Sequence, residues 1–341
     1  MGRYTGRKVV VIERSRYEHP RIGETVSAAL GPLLAYLGVD GLLNSKDHMP
    51  AYGTEAAWGL DQVLARDFLF TGRGIGWHLD RLAFDRGLAD AAARGGADLR
   101  QGLSVREAVR DGDIWRLRAG STDIVARQVI DATGRGAAFA RLTGARRHRL
   151  DRTVGVGIRM ELQPGRTVAQ NVLIEATREG WWYSAPIPRH LLVVVFMTDA
   201  DLLTRSAIEP ASWEAALAQA SKTVARCREA RRLHTPRVWP ASSDVLAPPL
   251  GDGWVAAGDA AISFDPLSSL GIGHAIASGI QAARIAEDRL NGGETLSAAY
   301  TADLTRHRDV YLSQRQHLYA TEMRFADASF WRRRRASCRG P

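Results

Sequence analysis

Residues 253–273 read GWVAAGDAAISFDPLSSLGIG. A short apolar run, Trp254 to Ala257, ends in Gly258 and Asp259. A turn containing Pro266 follows, and Gly271, Ile272 and Gly273 open a helix expected to run to about residue 289. The pattern brings a buried strand, a carboxylate and a helix N-terminus to one place. Free N–H groups and the positive end of the helix dipole suit an anion or an electron-rich ring. Glycines let the backbone approach such a ligand closely. Pro266 stiffens the turn, and Asp259 at the strand end is placed to accept from hydroxyl groups. Ser268 and Ser269 read as caps of the following helix rather than as nucleophiles.

Working outward, residues 8–13 (KVVVIE) form a β-branched run ending in an acid, expected as a buried, parallel and central strand. An acid in that position, Glu13 with Arg14 beside it, hydrogen-bonds a ribose in dinucleotide-binding units, about 20 residues after a glycine-rich turn. Only 12 residues precede Glu13, too few for a first strand, that turn and a helix. The expectation is that Met1 is internal and that the true start lies upstream. Residues 30–37 place four leucines on one helical face, and 39–76 read as irregular. A helix is expected over 80–93, stopped by Gly95 and Gly96. Strands are expected over 104–110, 114–119 and 125–130, the first two joined by a turn at Gly112, the third ending in Asp131-Ala132-Thr133-Gly134.

The pattern then changes. Residues 151–245 hold alternating strands over 154–161, 171–175, 182–187 and 191–198, followed by one amphipathic helix at about 210–230. Residues 246–295 return to the first pattern, 296–330 read as closing helices, and 331–341 as a disordered basic tail. The fold class is α/β: a Rossmann-like cofactor lobe over 1–150 and 246–295, interrupted by an antiparallel-sheet substrate lobe over 151–245, with a helical C-terminus.

The composition is that of a globular protein, 45% hydrophobic and 24% charged. The net charge of +9 would fit a polyanion partner, but only three of the 46 basic residues are lysine. That bias, and the clustering of the arginines, argue for compositional drift, so no nucleic-acid partner is expected. Cys227 and Cys338 form no metal or disulfide pattern. No metal site, membrane span or signal peptide is read, and a cytoplasmic location is expected.

Four stretches carry a resemblance. Residues 258–272, Gly23-Glu24-Thr25, Arg81 at the start of a helix, and Asp131 to Gly134 resemble, in order and spacing, the motifs of FAD-dependent monooxygenases with the p-hydroxybenzoate-hydroxylase fold. The wording is nearest the branch holding the tryptophan halogenases and geranylgeranyl-reductase-like proteins. Within it, residues 21–38, 76–81, 180–188 and 195–203 resemble the flavoproteins that hydroxylate a tryptophan of a partner polypeptide during maturation of quinone-cofactor enzymes. The resemblance implies FAD held by Glu13, Arg14, Gly23, Glu24, Arg81, Asp131, Gly134, Gly258, Asp259, Pro266 and Gly271 to Gly273. It implies reduction by NAD(P)H or a partner reductase, and oxygen transfer from a flavin C4a-hydroperoxide to a small-molecule or peptidyl aromatic substrate. Trp181, Trp182 and Tyr183 are the candidate substrate wall, and His274 and His78 the candidate acid–base groups.

Halogenases resemble one another in a Trp-x-Trp-x-Ile-Pro stretch and a lysine downstream of Gly-Glu. Here Tyr183 and Ala185 replace the second tryptophan and the isoleucine, and the lysine position falls near Tyr52-Gly53-Thr54. Lys46 is the nearest lysine and reads as a solvated loop residue. Halogenation is therefore disfavoured; a flavin reductase of isoprenoid double bonds and an inactive remnant or binding module remain as alternatives.

Overall fold

A computed structural model describes residues 5–68, 74–203 and 209–336. Its largest element is a sheet in the order Ala230–Arg232, Thr153–Leu162, Leu191–Asp199, Gly180–Ile187, Asn171–Thr177, Gly53–Ala57, Leu64–Asp67. Arg237–Pro240 also pairs with Thr153–Leu162. Neighbours are antiparallel except Gly53–Ala57, which runs parallel to Asn171–Thr177. The four strands expected between 154 and 198 are all present. The 39–76 segment corrects the expectation of irregular structure: it supplies two strands of this sheet and a third, His48–Ala51. Its Gly, Pro and Trp content hid a local pair, Gly53–Ala57 with Leu64–Asp67, and the other neighbour of Gly53–Ala57, Asn171–Thr177, lies far away in sequence.

Side chains on successive strand residues point to opposite faces, so both faces of this sheet are covered. Trp182, Ile158, Val194 and Phe196 pack beneath it against Trp213 of the Pro210–Leu217 helix. The expected single helix over 210–230 is two, Pro210–Leu217 and Ser221–Cys227. Trp181, Val193, Val195 and Met197 face the other way, onto Tyr319, Phe330 and Trp331. The 331–336 part of the expected disordered tail is thus a correction: Ser329–Ala336 is a docked helix, with Phe330 and Trp331 fully buried. Residues 337–341, including Cys338, lie outside the described residues.

The cofactor-type lobe is built from small parallel pairs. Val10–Glu13 lies parallel to Asp98–Gln101, and Val129–Asp131 lies parallel to Trp254–Ala256. Among the described residues Val10–Glu13 has this one neighbour, and Val10 is exposed, which corrects the expectation of a fully buried strand. The expected strand over 125–130 is split into Thr122–Ala126 of a three-stranded meander and Val129–Asp131 of the parallel pair. The core beneath holds Trp115, Phe139, Trp254, Ile262, Phe264 and Tyr311, with Ile12 packed on it. Arg81–Arg94 begins where Asp80 accepts from the N–H groups of Leu82 and Ala83 at 2.9 and 3.2 Å. The long helices Gly271–Leu290 and Thr295–Ala320 close this side.

Candidate functional site

The strand Trp254–Ala256 delivers Gly258 at φ +58°, where an added Cβ would lie 3.1 Å from that of Ala275. Glycine is the residue that both the left-handed backbone and the space allow. Asp259 follows, with about a third of its side chain exposed (35%) and Oδ2 at 3.5 Å from Arg135 Nε. Burial raises its proton affinity, and the cations Arg135, Arg147 and Arg81 pull it back. Asp265 accepts from the N–H of Leu267 at 3.0 Å and so fixes the Pro266 turn.

Gly271–Leu290 begins with no side-chain cap. The expected capping by Ser268 and Ser269 is corrected. Ser268 Oγ accepts from Leu270 and donates to the Asp265 carbonyl, while Ser269 turns left-handed at φ +52°. The first N–H groups of the helix are left without side-chain partners. Beyond Gly271 and Gly273 an added Cβ would meet nothing within 4 Å. Ile272 and Ile276 anchor this end on the cluster of Leu30, Leu34, Leu79 and Phe84.

A polar rim connects this helix start to Glu13. Glu13 Oε1 accepts from Ser15 N at 2.8 Å and lies 3.6 Å from Arg21 Nη2. Arg21 pairs with Asp85 at 2.8 Å. Arg81 grips Asp85 through Nε and Nη2 at 3.2 and 3.1 Å, and its Nη1 donates to the carbonyls of Ile22 and Gly23. Gly23, at φ +100°, has Arg81 Nη1 3.2 Å from where a Cβ would stand. Arg14 is exposed beside the rim. Glu13, Arg21, Asp85 and Arg81 therefore form one chain of ion pairs, and Arg81 acts on Asp259, beside the helix start, through its charge.

Other expected contacts fall elsewhere. Asp131 is buried, and its carboxylate is used by its own turn, accepting from Thr133 N, Thr133 Oγ1 and Ala140 N. It holds the loop of Gly134 rather than presenting an open ligand. Trp181 and Trp182 are fully buried in two different cores, so they are not a substrate wall. Alternation puts adjacent indoles on opposite faces of the sheet. Tyr183 donates or accepts at Thr25 Oγ1 at 2.8 Å. Glu24 is fully buried between the Gly23 loop and the sheet, off the rim. Sequence reading missed Arg135, although it follows Gly134 directly; its guanidinium fastens Ser263 Oγ and the Phe264 carbonyl at 3.1 Å. Arg147 and Arg159 had no local signal, because the partners of their guanidinium groups lie far away in sequence; Arg21 and Asp85 were missed because the ion pair that joins them spans 64 residues, although each also has a near partner.

The two candidate histidines are both buried. His78 Nδ1 meets Thr25 Oγ1 at 2.9 Å, and Nε2 meets the Gln170 carbonyl at 3.3 Å. Burial lowers its pKa to about 4. His274 sits edge-on to Phe264 at 4.9 Å, and burial followed by His307 lowers its pKa to about 4. Both are neutral at pH 7. Because the folded pKa of His78 lies below the unfolded value, the unfolded chain binds the proton first on acidification, so stability falls as pH drops from about 6.5 toward 4. His78 alone should make the protein about 2 kcal/mol less stable at pH 5 than at pH 7. Urea unfolding at both values checks this: His78→Gln should narrow the gap by that amount, and an unchanged gap would remove His78 from the account.

Among the described residues no helix is long and apolar enough to cross a membrane, and no group of three His, Cys, Asp or Glu is placed to hold a metal ion. The family profile for tryptophan halogenase matches residues 65–340. LodB of Marinomonas mediterranea, assigned as an FAD-dependent oxidoreductase, is 29% identical over 339 residues, covering 97% of this chain and 90% of LodB. The peptidyl tryptophan dihydroxylase QhpG, essential for tryptophylquinone cofactor biogenesis, aligns with a TM-score of 0.79 at 26% identity over 97% of this chain and 74% of its own. CmlS, a flavin-dependent halogenase, aligns with a TM-score of 0.84 at 23% identity; this chain is covered to 97% and spans 63% of that one. The α/β fold with a helical C-terminal segment is that of the flavin-dependent halogenases. With a matching profile over most of its length, the chain belongs to the tryptophan halogenase family.

Proposed function

We propose that the chain is an FAD-dependent oxidoreductase that oxygenates an electron-rich aromatic substrate, a peptidyl tryptophan of a partner polypeptide first among them. The observation that carries FAD binding is the uncapped, glycine-lined start of Gly271–Leu290, set at the end of a charged rim that runs to Glu13. The residues fit the group. Glu13 would take the adenosine ribose, Asp259 the ribitol hydroxyls, and the N–H groups at Gly271 to Gly273 the pyrimidine edge of the flavin ring. Bound FAD, reduced by NAD(P)H or a partner reductase, supplies electron transfer and oxygen activation. The protein contributes position and fixed charge.

Oxygenation is preferred over halogenation on one observation: the 52–54 segment is Tyr-Gly-Thr, and Lys46 is an exposed turn residue. No buried ammonium is offered at that place. The likeness to QhpG, a peptidyl tryptophan dihydroxylase, supports the peptidyl substrate.

Valine at Gly271 or Gly273 would fill the open space beside the helix start. Either substitution should weaken FAD binding by about 10- to 100-fold, or roughly 1.4–2.8 kcal/mol. Fluorescence titration of FAD into the parent chain and into each variant measures this. Equal affinity for the parent and both variants would remove the helix start from the flavin site. Reduced FAD, labelled O2, bromide and a tryptophan peptide then decide the reaction. Label in the peptide supports oxygenation, and bromine in it supports the halogenase reading.

A further inference from the structure

The loop from Gly23 into Thr25–Val26 sets the carboxyl group of Glu24 against the large sheet, where it is fully buried. Gly23 N donates to Oε2 at 2.9 Å. Arg159 Nη2 stops 3.9 Å from Oε1, too far for a hydrogen bond, and donates instead to the Arg21 carbonyl at 3.1 Å. Oε1 is left with no hydrogen-bond partner among the described residues. The charged and titratable groups that act on this carboxyl are Arg159 and Tyr183 of the sheet and Arg81 of the helix. Each is engaged elsewhere: Arg159 on Arg21, Arg81 on Asp85 and the 22–23 carbonyls, Tyr183 on Thr25. Leaving a buried carboxyl oxygen without a hydrogen bond costs about 1–3 kcal/mol or more, so its retention here calls for a use. Burial also favours the protonated form, which makes the carboxylate a stronger base when it does ionise.

We infer that Glu24 is the proton acceptor for the aromatic substrate, its Oε1 facing the ring carbon that is oxygenated. The inference rests on the reading of the chain as an aromatic oxygenase. Replacing a ring hydrogen by oxygen forms a C–O bond and breaks a C–H bond, whose electron pair returns to the ring. One atom of O2 enters the ring and the other leaves as water, with reduced flavin the electron donor. Because Glu24 is fully buried, bulk water is not at hand to take the ring proton, which passes to Glu24 Oε1 and then to the departing oxygen atom, completing that water.

Glu24→Gln keeps the shape and the contact to Gly23 N but takes no proton. With FAD bound and fold verified in both proteins, turnover of a ring-deuterated tryptophan peptide should fall about 100-fold or more in kcat, with KM little changed. A primary deuterium isotope effect should appear in the variant, and the acid limb of the pH profile should vanish. Undiminished turnover, or a loss of rate without the isotope effect, would make Glu24 a structural residue and overturn the assignment. If the wild-type protein reduces FAD but oxidises no aromatic peptide, the oxygenase reading has failed by itself. The assignment of Glu24 is then judged in flavin-free protein by infrared spectroscopy. The Glu24 carboxyl band, located by difference with Glu24→Gln, should shift on addition of indole; a band that ignores indole overturns it.

Discussion

Arg334→Met should lower folding stability by about 3–5 kcal/mol, the cost of leaving a buried acid without its main partner. The guanidinium donates to Asp199 Oδ1 and Oδ2 at 2.9 and 3.2 Å, to Thr153 Oγ1 at 2.8 Å and to the Phe330 carbonyl at 3.0 Å. It also lies 3.4 Å above the ring centroid of Phe330. Both charged side chains are about 4% exposed. Methionine replaces the volume, so little apolar contact is lost; Asp199 then keeps only Arg333, whose side chain is 43% exposed, and Coulomb attraction is weak there. Urea unfolding should show the fall, and adding Asp199→Asn should recover at least half of it. A midpoint equal to that of the parent would mean that Ser329–Ala336 does not dock in solution.

The second large effect is Trp182→Ala, which should cost about 3–5 kcal/mol without a specific effect on substrate affinity. Trp182 stacks on Phe196 with centroids 4.9 Å apart and stands edge-on to Trp213 at 5.3 Å, with none of its surface exposed. Truncation opens a cavity that β-sheet packing on one side and a short helix on the other cannot close. Thermal unfolding and the KM of any accepted substrate separate the two readings. A raised KM at unchanged stability would restore Trp182 to the substrate wall.

These two residues also show where sequence reading worked and where it stopped. The strand ending at Gly258-Asp259 and the helix opening at Gly271 were legible because motif, turn chemistry and period agree within twenty residues. The antiparallel strands were legible from their apolar runs, Leu191–Asp199 above all. Trp182 was misjudged because a run of aromatic residues looks the same in a core as in a cleft until the facing layer is known. Arg334 was misjudged because Arg332 to Arg335 reads as a solvated charge run; its acidic partner is 135 residues away. Within 39–76 the same reason hid the pairing of Gly53–Ala57 with Asn171–Thr177, while its near pairing with Leu64–Asp67 was masked by the Gly, Pro and Trp around it. Local rules found the helix start and the turn, and long-range pairing decided the rest.

The docked Ser329–Ala336 helix has a consequence for how the protein is made. It is synthesised after everything it covers. On the ribosome, the sheet face bearing Trp181 and Met197, with Trp58 beside it, emerges long before Phe330 and Trp331 exist to close it. From the emergence of Met197 until that of Phe330, that face is an open bed of indole and thioether, and Asp199 lacks its counter-ion. Nascent chains stalled ahead of residue 329 should therefore be the strongest chaperone clients of this protein, and release from the chaperone should coincide with the arrival of the last helix.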